Sequence, residues 1–178
     1  SAQGLVDTVY SANCGGHTEA KEHVWASDPD PVFRALPDWP SNGKRRVPVT
    51  LAPDDANLRK FLENPPNAFC GRNRNGKRDK FRWKQAFGAD ELSRVVAEKN
   101  HVGRVTSVEV VARGPSGRAT ELRIVGDKGE ATVHRELPIR QALGGLPSGL
   151  FVIDTERDDK GALLRTSFSG AGWGHGVG

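Results

Sequence analysis

Apolar residues change their spacing along this chain, and each spacing predicts a different element. Leu5, Val6, Val9 and Tyr10 form a short apolar stretch that predicts a strand, ending at Asn13-Cys14-Gly15-Gly16 where glycine permits a turn. From Ser27 to Pro53 the prolines 29, 31, 37, 40, 48 and 53 forbid a long helix, so this segment reads as an extended surface loop. Leu58, Phe61 and Leu62 then fall on one side of a short helix, capped by Asp54 or Asp55 and stopped before Pro65-Pro66. A second helix is expected over Ala89–Lys99, where Leu92, Val95 and Val96 repeat that spacing and Asp90 and Glu91 sit in the first turn.

After Gly103 the period becomes two. Val108 and Val110, Leu122 and Ile124, and Ala131 and Val133 mark three strands, separated by Gly114-Pro115-Ser116-Gly117 and Gly126-Asp127-Lys128-Gly129. This predicts an antiparallel meander. A short helix over Pro138–Leu143 and two strands, 149–154 and 162–168, complete the pattern. The fold class is α+β, a mostly antiparallel sheet with a few short helices and long Pro/Gly-rich loops.

Composition narrows the class further. With 36% hydrophobic and 27% charged residues among 178, the chain is globular, and no apolar run approaches the length of a bilayer span. The net charge of +4 favours acidic partners weakly and names none. The absence of methionine and the break at Gly178 inside a glycine pattern suggest a piece of a longer protein. Cys14 and Cys70 are too few for a disulfide scaffold; they form one bridge in an oxidising compartment and stay thiols in a reducing one.

Three segments concentrate chemistry. In residues 170–178 every second residue is glycine; an extended conformation would leave one face bare and present Ala171, Trp173, His175 and Val177 on the other, while a tight loop or close strand packing is the plainer reading. Neither the dinucleotide fingerprint nor the phosphate-loop pattern is present. Tyr10 to Glu19 packs a phenol, hydroxyls, a thiol, an imidazole and a carboxylate into ten residues at a strand-to-loop junction, where ligand contacts concentrate. A zinc set of Cys14, His17, Cys70 and His175 can be drawn, but its spacing carries no metal signature, and a Cys14-His17 nucleophilic pair lacks an orienting third group. Residues 71–84 form the most basic run, and such a run with Trp83 suits an acidic polymer, nucleic acid included. The paired aspartates 28/30, 54/55 and 158/159 fit turns and caps rather than an acid/base dyad.

Taken together, Tyr10-Ser11-Ala12-Asn13-Cys14-Gly15-Gly16-His17-Thr18-Glu19, Phe81-Arg82-Trp83, Ser116-Gly117-Arg118 and Phe168 to Gly178 resemble the stage II sporulation protein D family, which includes the amidase-enhancer proteins. The order and spacing match across nearly the whole chain. The resemblance implies an extracytoplasmic domain acting on peptidoglycan, with lytic transglycosylase cleavage between N-acetylmuramic acid and N-acetylglucosamine in the intact protein. The alternative is a non-catalytic wall-binding or amidase-enhancing module.

Residues 1–178 would be the C-terminal portion of such a domain, since the family's catalytic glutamate lies on a helix upstream of the Cys-Gly-Gly motif. No catalytic residue, metal or cofactor is therefore assigned within the chain. The resemblance gives substrate-binding roles to Tyr10, Ser11, His17, Thr18, Glu19, Arg82, Trp83, Arg118, Trp173 and His175. Gly15, Gly16, Gly172, Gly174 and Gly176 would shape the loops, and Cys14 would pair with Cys70. Arg82 and Arg118 would meet lactyl or peptide carboxylates by bidentate contacts. The expected partners are glycan strands and, in the alternative, an amidase, without nucleic acid or a membrane span.

Overall fold

The computed structural model describes residues 8–25, 27–40, 51, 54–72 and 80–178. It is α+β, built from two three-stranded antiparallel sheets and short helices. The predicted meander is present: β2 (Val105–Arg113), β3 (Ala119–Gly126) and β4 (Gly129–His134) pair in sequence order. Val108 lies opposite Ile124, which lies opposite Ala131, so the alternation seen in the sequence stacks across three strands on one face. The β3–β4 turn closes with Gly126 opposite Gly129.

The other sheet has the order β1 (Arg82–Gly88), β6 (Leu163–Ala171), β5 (Phe151–Arg157). Its two faces are both covered. Phe151 and Ile153 pack into the main core, while Leu150 and Val152, one residue out of phase, join a smaller cluster with Leu58, Phe61 and Leu62. Those three residues belong to α2 (Asp55–Glu63), which starts as predicted: the Asp54 side chain accepts the Asn57 amide at 2.8 Å.

Helix α3 (Ala89–Ala97) buries Ala89, Leu92 and Val96 against the main core. Its Ser93 Oγ accepts the Val105 amide at 2.9 Å, tying the helix to the first residue of the meander. Helix α4 (Glu136–Ala142) begins two residues before the expected Pro138. The centre of the core is aromatic. Phe168 on the middle strand meets Phe87 and Phe151 edge-on, with ring centroids 6.0 and 5.7 Å apart.

One expectation changes. Val9 and Tyr10 are not in a strand; the N-terminal segment contributes an isolated bridge from Asn13 to Trp173, and Leu5 and Val6 lie outside the described residues. Of the readings open to the glycine-rich tail, the tight loop is the one observed after Ala171 ends β6. Gly172, Gly174, Gly176 and Gly178 all have positive φ, so the chain turns at every second residue instead of presenting a bare face. The last residues of the basic run, Arg82 to Lys84, begin β1; residues 73–79 lie outside the described residues. The short helix α1 (Lys21–Trp25) also forms without having been predicted.

Phe168 is fully buried between two rings, so Phe168→Ala removes both edge contacts and leaves a cavity. Chemical denaturation should show a loss of about 3–5 kcal/mol in unfolding free energy; a loss below about 1 kcal/mol would contradict this packing.

Candidate functional site

The cysteine turn and the tryptophan-histidine tail, far apart in sequence, are in direct contact. Asn13 and Trp173 exchange backbone hydrogen bonds at 3.2 and 2.8 Å, and the Glu19 amide donates to Gly176 O at 3.0 Å. The approach requires glycine. At Gly15, with φ 72°, a Cβ would stand 2.8 Å from the backbone of Ala171 and Gly172. Thr18 and Asp38 extend the pairing outward: the Thr18 amide donates to Leu36 O at 2.9 Å and the Asp38 amide to Gly16 O at 2.9 Å. The loop from 27 is thereby brought against the turn.

Beneath this junction lies a set of buried polar groups. Arg118 donates through Nη2 to Cys14 O at 2.9 Å, and through Nη1 to His17 O at 3.1 Å and Ser116 Oγ at 2.8 Å. The Ser116 hydroxyl in turn donates to Glu19 Oε2 at 2.6 Å, and Glu19 Oε1 accepts the Ala20 amide at 2.8 Å. Gly176 lies over the guanidinium so closely that any Cβ there would run into it. Burial pushes the Arg118 pKa below its ordinary value, while the nearby Glu19 and Glu136 act to raise it.

Arg82 plays a similar part from the other side. It donates to Gly15 O and Phe81 O at 2.9 Å, to Leu62 O at 3.2 Å and to Phe61 O at 3.3 Å, and burial brings its pKa down to about 10. The expectation that Arg118 reaches out to substrate carboxylates is corrected by its full burial, whereas Arg82, with Trp83, also lines a second open cleft of about 330 Å³. Both guanidiniums grip main-chain carbonyls of the cysteine turn and its neighbours. Glu19 and His17 are likewise buried, the His17 Nδ1 lying 2.8 Å from Thr18 O, and Trp83 is packed against the core beside Phe151. These residues build the surface from behind.

The face of the junction is an open cleft of about 460 Å³. Tyr10, Ser11, Asn13, Thr18 and Phe69 line it, with Cys14, Asp38 and Cys70 among them. Tyr10 is 85% exposed and Phe69 45%, so two aromatic rings stand at its edge, the second with the Arg72 guanidinium 5.7 Å from its ring centre. Trp173 is 40% exposed beside Asn13, with the Lys80 ammonium 5.5 Å from its ring centre. The Thr18 hydroxyl is engaged with Arg34 O at 2.8 Å and the Leu36 amide at 2.9 Å. His175 meets Trp25 in a tilted contact with ring centroids 4.8 Å apart, accepts the Val177 amide and is held below its usual pKa by burial. It is not among the cleft residues.

Cys14 and Cys70 are unbonded thiols 3.4 Å apart. Asp38 Oδ2 lies 3.5 Å from Cys14 Sγ and accepts the Cys70 amide at 2.9 Å. Cys14 Sγ donates toward Cys70 Sγ, and the contact between the two thiols pushes the Cys14 pKa down and that of Cys70 up. Among the described residues, the potential metal ligands gathered within 4.8 Å are Cys14, Asp38 and Cys70, without either histidine of the set drawn from sequence. Asp38 and Phe69 were missed there because only long-range pairing places them: the Phe69 amide donates to Asp38 O at 2.8 Å.

Two outcomes follow from this geometry. Arg118→Met leaves the Cys14 and His17 carbonyls unpaired and Glu19 buried without its countercharge, which should lower unfolding free energy by about 3–5 kcal/mol in denaturant titration. Arg118→Lys should recover only part of this, since one ammonium cannot span the same acceptors. In reduced protein kept with a chelator, mass-mapped alkylation should modify Cys14 at lower pH than Cys70, and the preference should vanish in urea. Equal rates in the folded protein would contradict the thiol pairing.

Residues 19–178 match the family model described as Domain of unknown function (DUF8618), which spans both sheets and the tail but starts just after the cysteine turn. Comparison with curated proteins and with solved structures gives no match. On the extent of that match, the chain belongs to the DUF8618 family.

Proposed function

We propose that this chain is the glycan-binding part of a peptidoglycan-acting protein similar to the stage II sporulation protein D family, working outside the cytoplasm. The observation that carries the reading is the pairing of Asn13 with Trp173, which joins the two motifs behind the resemblance into one surface. Sugar rings present apolar faces edged with hydroxyls. A cleft with the Tyr10 and Phe69 rings at its edge, and Ser11 and Asn13 beside them, offers stacking together with polar contact.

In the intact protein the reaction is lytic cleavage of the glycan. A carboxylic acid protonates the leaving glycosidic oxygen, and the resulting carboxylate takes the proton of the muramic acid's own hydroxyl as it attacks the anomeric carbon, so that one acid serves without a water nucleophile. The described carboxylates near the cleft are committed elsewhere, Glu19 to Ser116 and Ala20, and Asp38 to the cysteines. The role of this chain is accordingly to hold the strand, which sets the reacting atoms in position. That commitment also favours a second reading, a wall-binding or amidase-enhancing module without its own cleavage step.

The chain should bind peptide-free glycan strands in a sedimentation or fluorescence assay and release no anhydro sugar from sacculi. Tyr10→Ala and Trp173→Ala alter exposed rings and should each weaken binding about 10-fold, roughly 1.4 kcal/mol, with unchanged circular dichroism. Glycan binding that is absent, or indifferent to both substitutions, would sink the reading. Anhydromuropeptide release by the intact protein separates the enzyme from the module.

A further inference from the structure

The cleft holds a group of side chains that glycan binding does not use. Cys14 and Cys70 place two sulfurs 3.4 Å apart, and Asp38 directs Oδ2 to within 3.5 Å of the first. All three residues line the cleft, and they come from segments separated by 24 and 32 positions. We propose that Cys14, Asp38 and Cys70 bind one zinc ion through two thiolates and a carboxylate oxygen, leaving its fourth position open to the cleft.

The spacing fits tetrahedral coordination. Bonds of about 2.3 Å to sulfur and 2.0 Å to oxygen put two sulfurs about 3.8 Å apart and a sulfur and an oxygen about 3.5 Å apart. The sulfurs need to open by a few tenths of an ångström, and the carboxylate oxygen already lies 3.5 Å from Cys14 Sγ and within 4.8 Å of Cys70 Sγ. A disulfide is the competing state, with a bond of about 2.05 Å for which the sulfurs would have to close by more than 1 Å. It would also leave the Asp38 carboxylate facing a group with no proton to donate.

The ligand set selects the metal. Two thiolates exclude the oxygen-seeking magnesium and calcium, and iron–sulfur clusters require more cysteines than the chain contains. The surroundings support the site in two ways. The Asn13 side-chain amide donates to Cys70 O at 3.2 Å and the Cys70 amide donates to Asp38, fixing two of the three ligands from outside. Two thiolates, one carboxylate and a divalent ion sum to a single negative charge, and Arg82 and Arg118 both lie close enough to act electrostatically on the two cysteines. Binding releases the two thiol protons to solvent, so affinity should rise with pH.

Three protein ligands and an open position are the arrangement of zinc sites that hold water or substrate, not of sealed structural ones. The proposal is independent of glycan binding, and its test reads the metal alone. The whole chain, reduced with a phosphine and stripped by a chelator, is titrated with Zn²⁺ against a chromophoric competitor and separately with Co²⁺. One zinc per chain is expected, and cobalt should give the sulfur-to-metal charge-transfer band and intense visible bands of a tetrahedral thiolate site.

Cys14→Ser and Cys70→Ser should each reduce the charge-transfer band by about half and weaken zinc binding beyond the roughly 10–100-fold cost of losing an outer-shell partner. Asp38→Asn should keep the charge-transfer band while weakening affinity. The wild-type cobalt spectrum decides the matter even where a variant fails to fold. Wild-type protein with two titratable thiols and no stoichiometric metal overturns the proposal, as does a cobalt spectrum unaffected by Cys14→Ser, or a disulfide that closes in the presence of equimolar zinc.

Discussion

The junction on which the cleft stands depends on one buried cation. Arg118 is fixed at the start of the meander's second strand by the turn Gly114 to Gly117, and it carries a charge that burial disfavours. Such a charge is tolerated in the interior only if its donors find acceptors, and the acceptors here are the carbonyls of Cys14 and His17 with the Ser116 hydroxyl. Pairing its two Nη groups holds the cysteine turn in place, while its Nε has no hydrogen-bond partner among the described residues. Glu19 supplies the opposing charge through the same serine, and its main-chain amide ties the turn to Gly176. Three distant parts of the chain meet around the terminal nitrogens of one buried arginine.

This dependence explains which features were legible in the sequence. Local signals were sufficient for the meander, for α2 with its Asp54 cap, and for α3, where periodicity and caps act within a few residues. Strand β1 was hidden because Gln85 falls on the same face as Trp83 and Phe87 and breaks their alternation. It forms because β6 offers a partner along its whole length, from Arg82 opposite Ala171 to Gly88 opposite Arg165. The tail stayed open between two readings for a related reason. Alternating glycines suit an extended strand and a chain of left-handed turns equally well, and contact with Asn13 and Arg118 selects the second.

The candidate site was half legible. Cys14, Tyr10 and Ser11 stand out as a dense polar group, and the glycines around them mark close approach. Arg82 and Arg118 were also singled out, but not for the carbonyls they hold, because a sequence gives no indication of whether a cation faces solvent or a carbonyl. Asp38 carried no signal. It precedes a tryptophan in a proline-rich loop and looks like many turn aspartates, and its function comes from pairing with Gly16 on one side and Phe69 on the other.

That double pairing bears on how the cleft responds to its occupants. Asp38 accepts the Cys70 amide with the same carboxylate oxygen that faces Cys14, so the two cysteines are held together through a side chain from a third segment. Any change at the thiols is felt at Asp38, and through its main chain at Gly16 and Phe69. Phe69 lines the cleft with Tyr10, and Gly15 next to Gly16 is gripped by Arg82. A ligand on the two sulfurs and the carboxylate would stiffen this floor while the aromatic edge stays exposed. A glycan strand and a metal would then share one cleft without competing for the same atoms, the strand using rings and amides at the rim and the metal using sulfur and oxygen below. Coupling between them would run through Asp38 and Phe69, whose backbone hydrogen bond joins floor to rim.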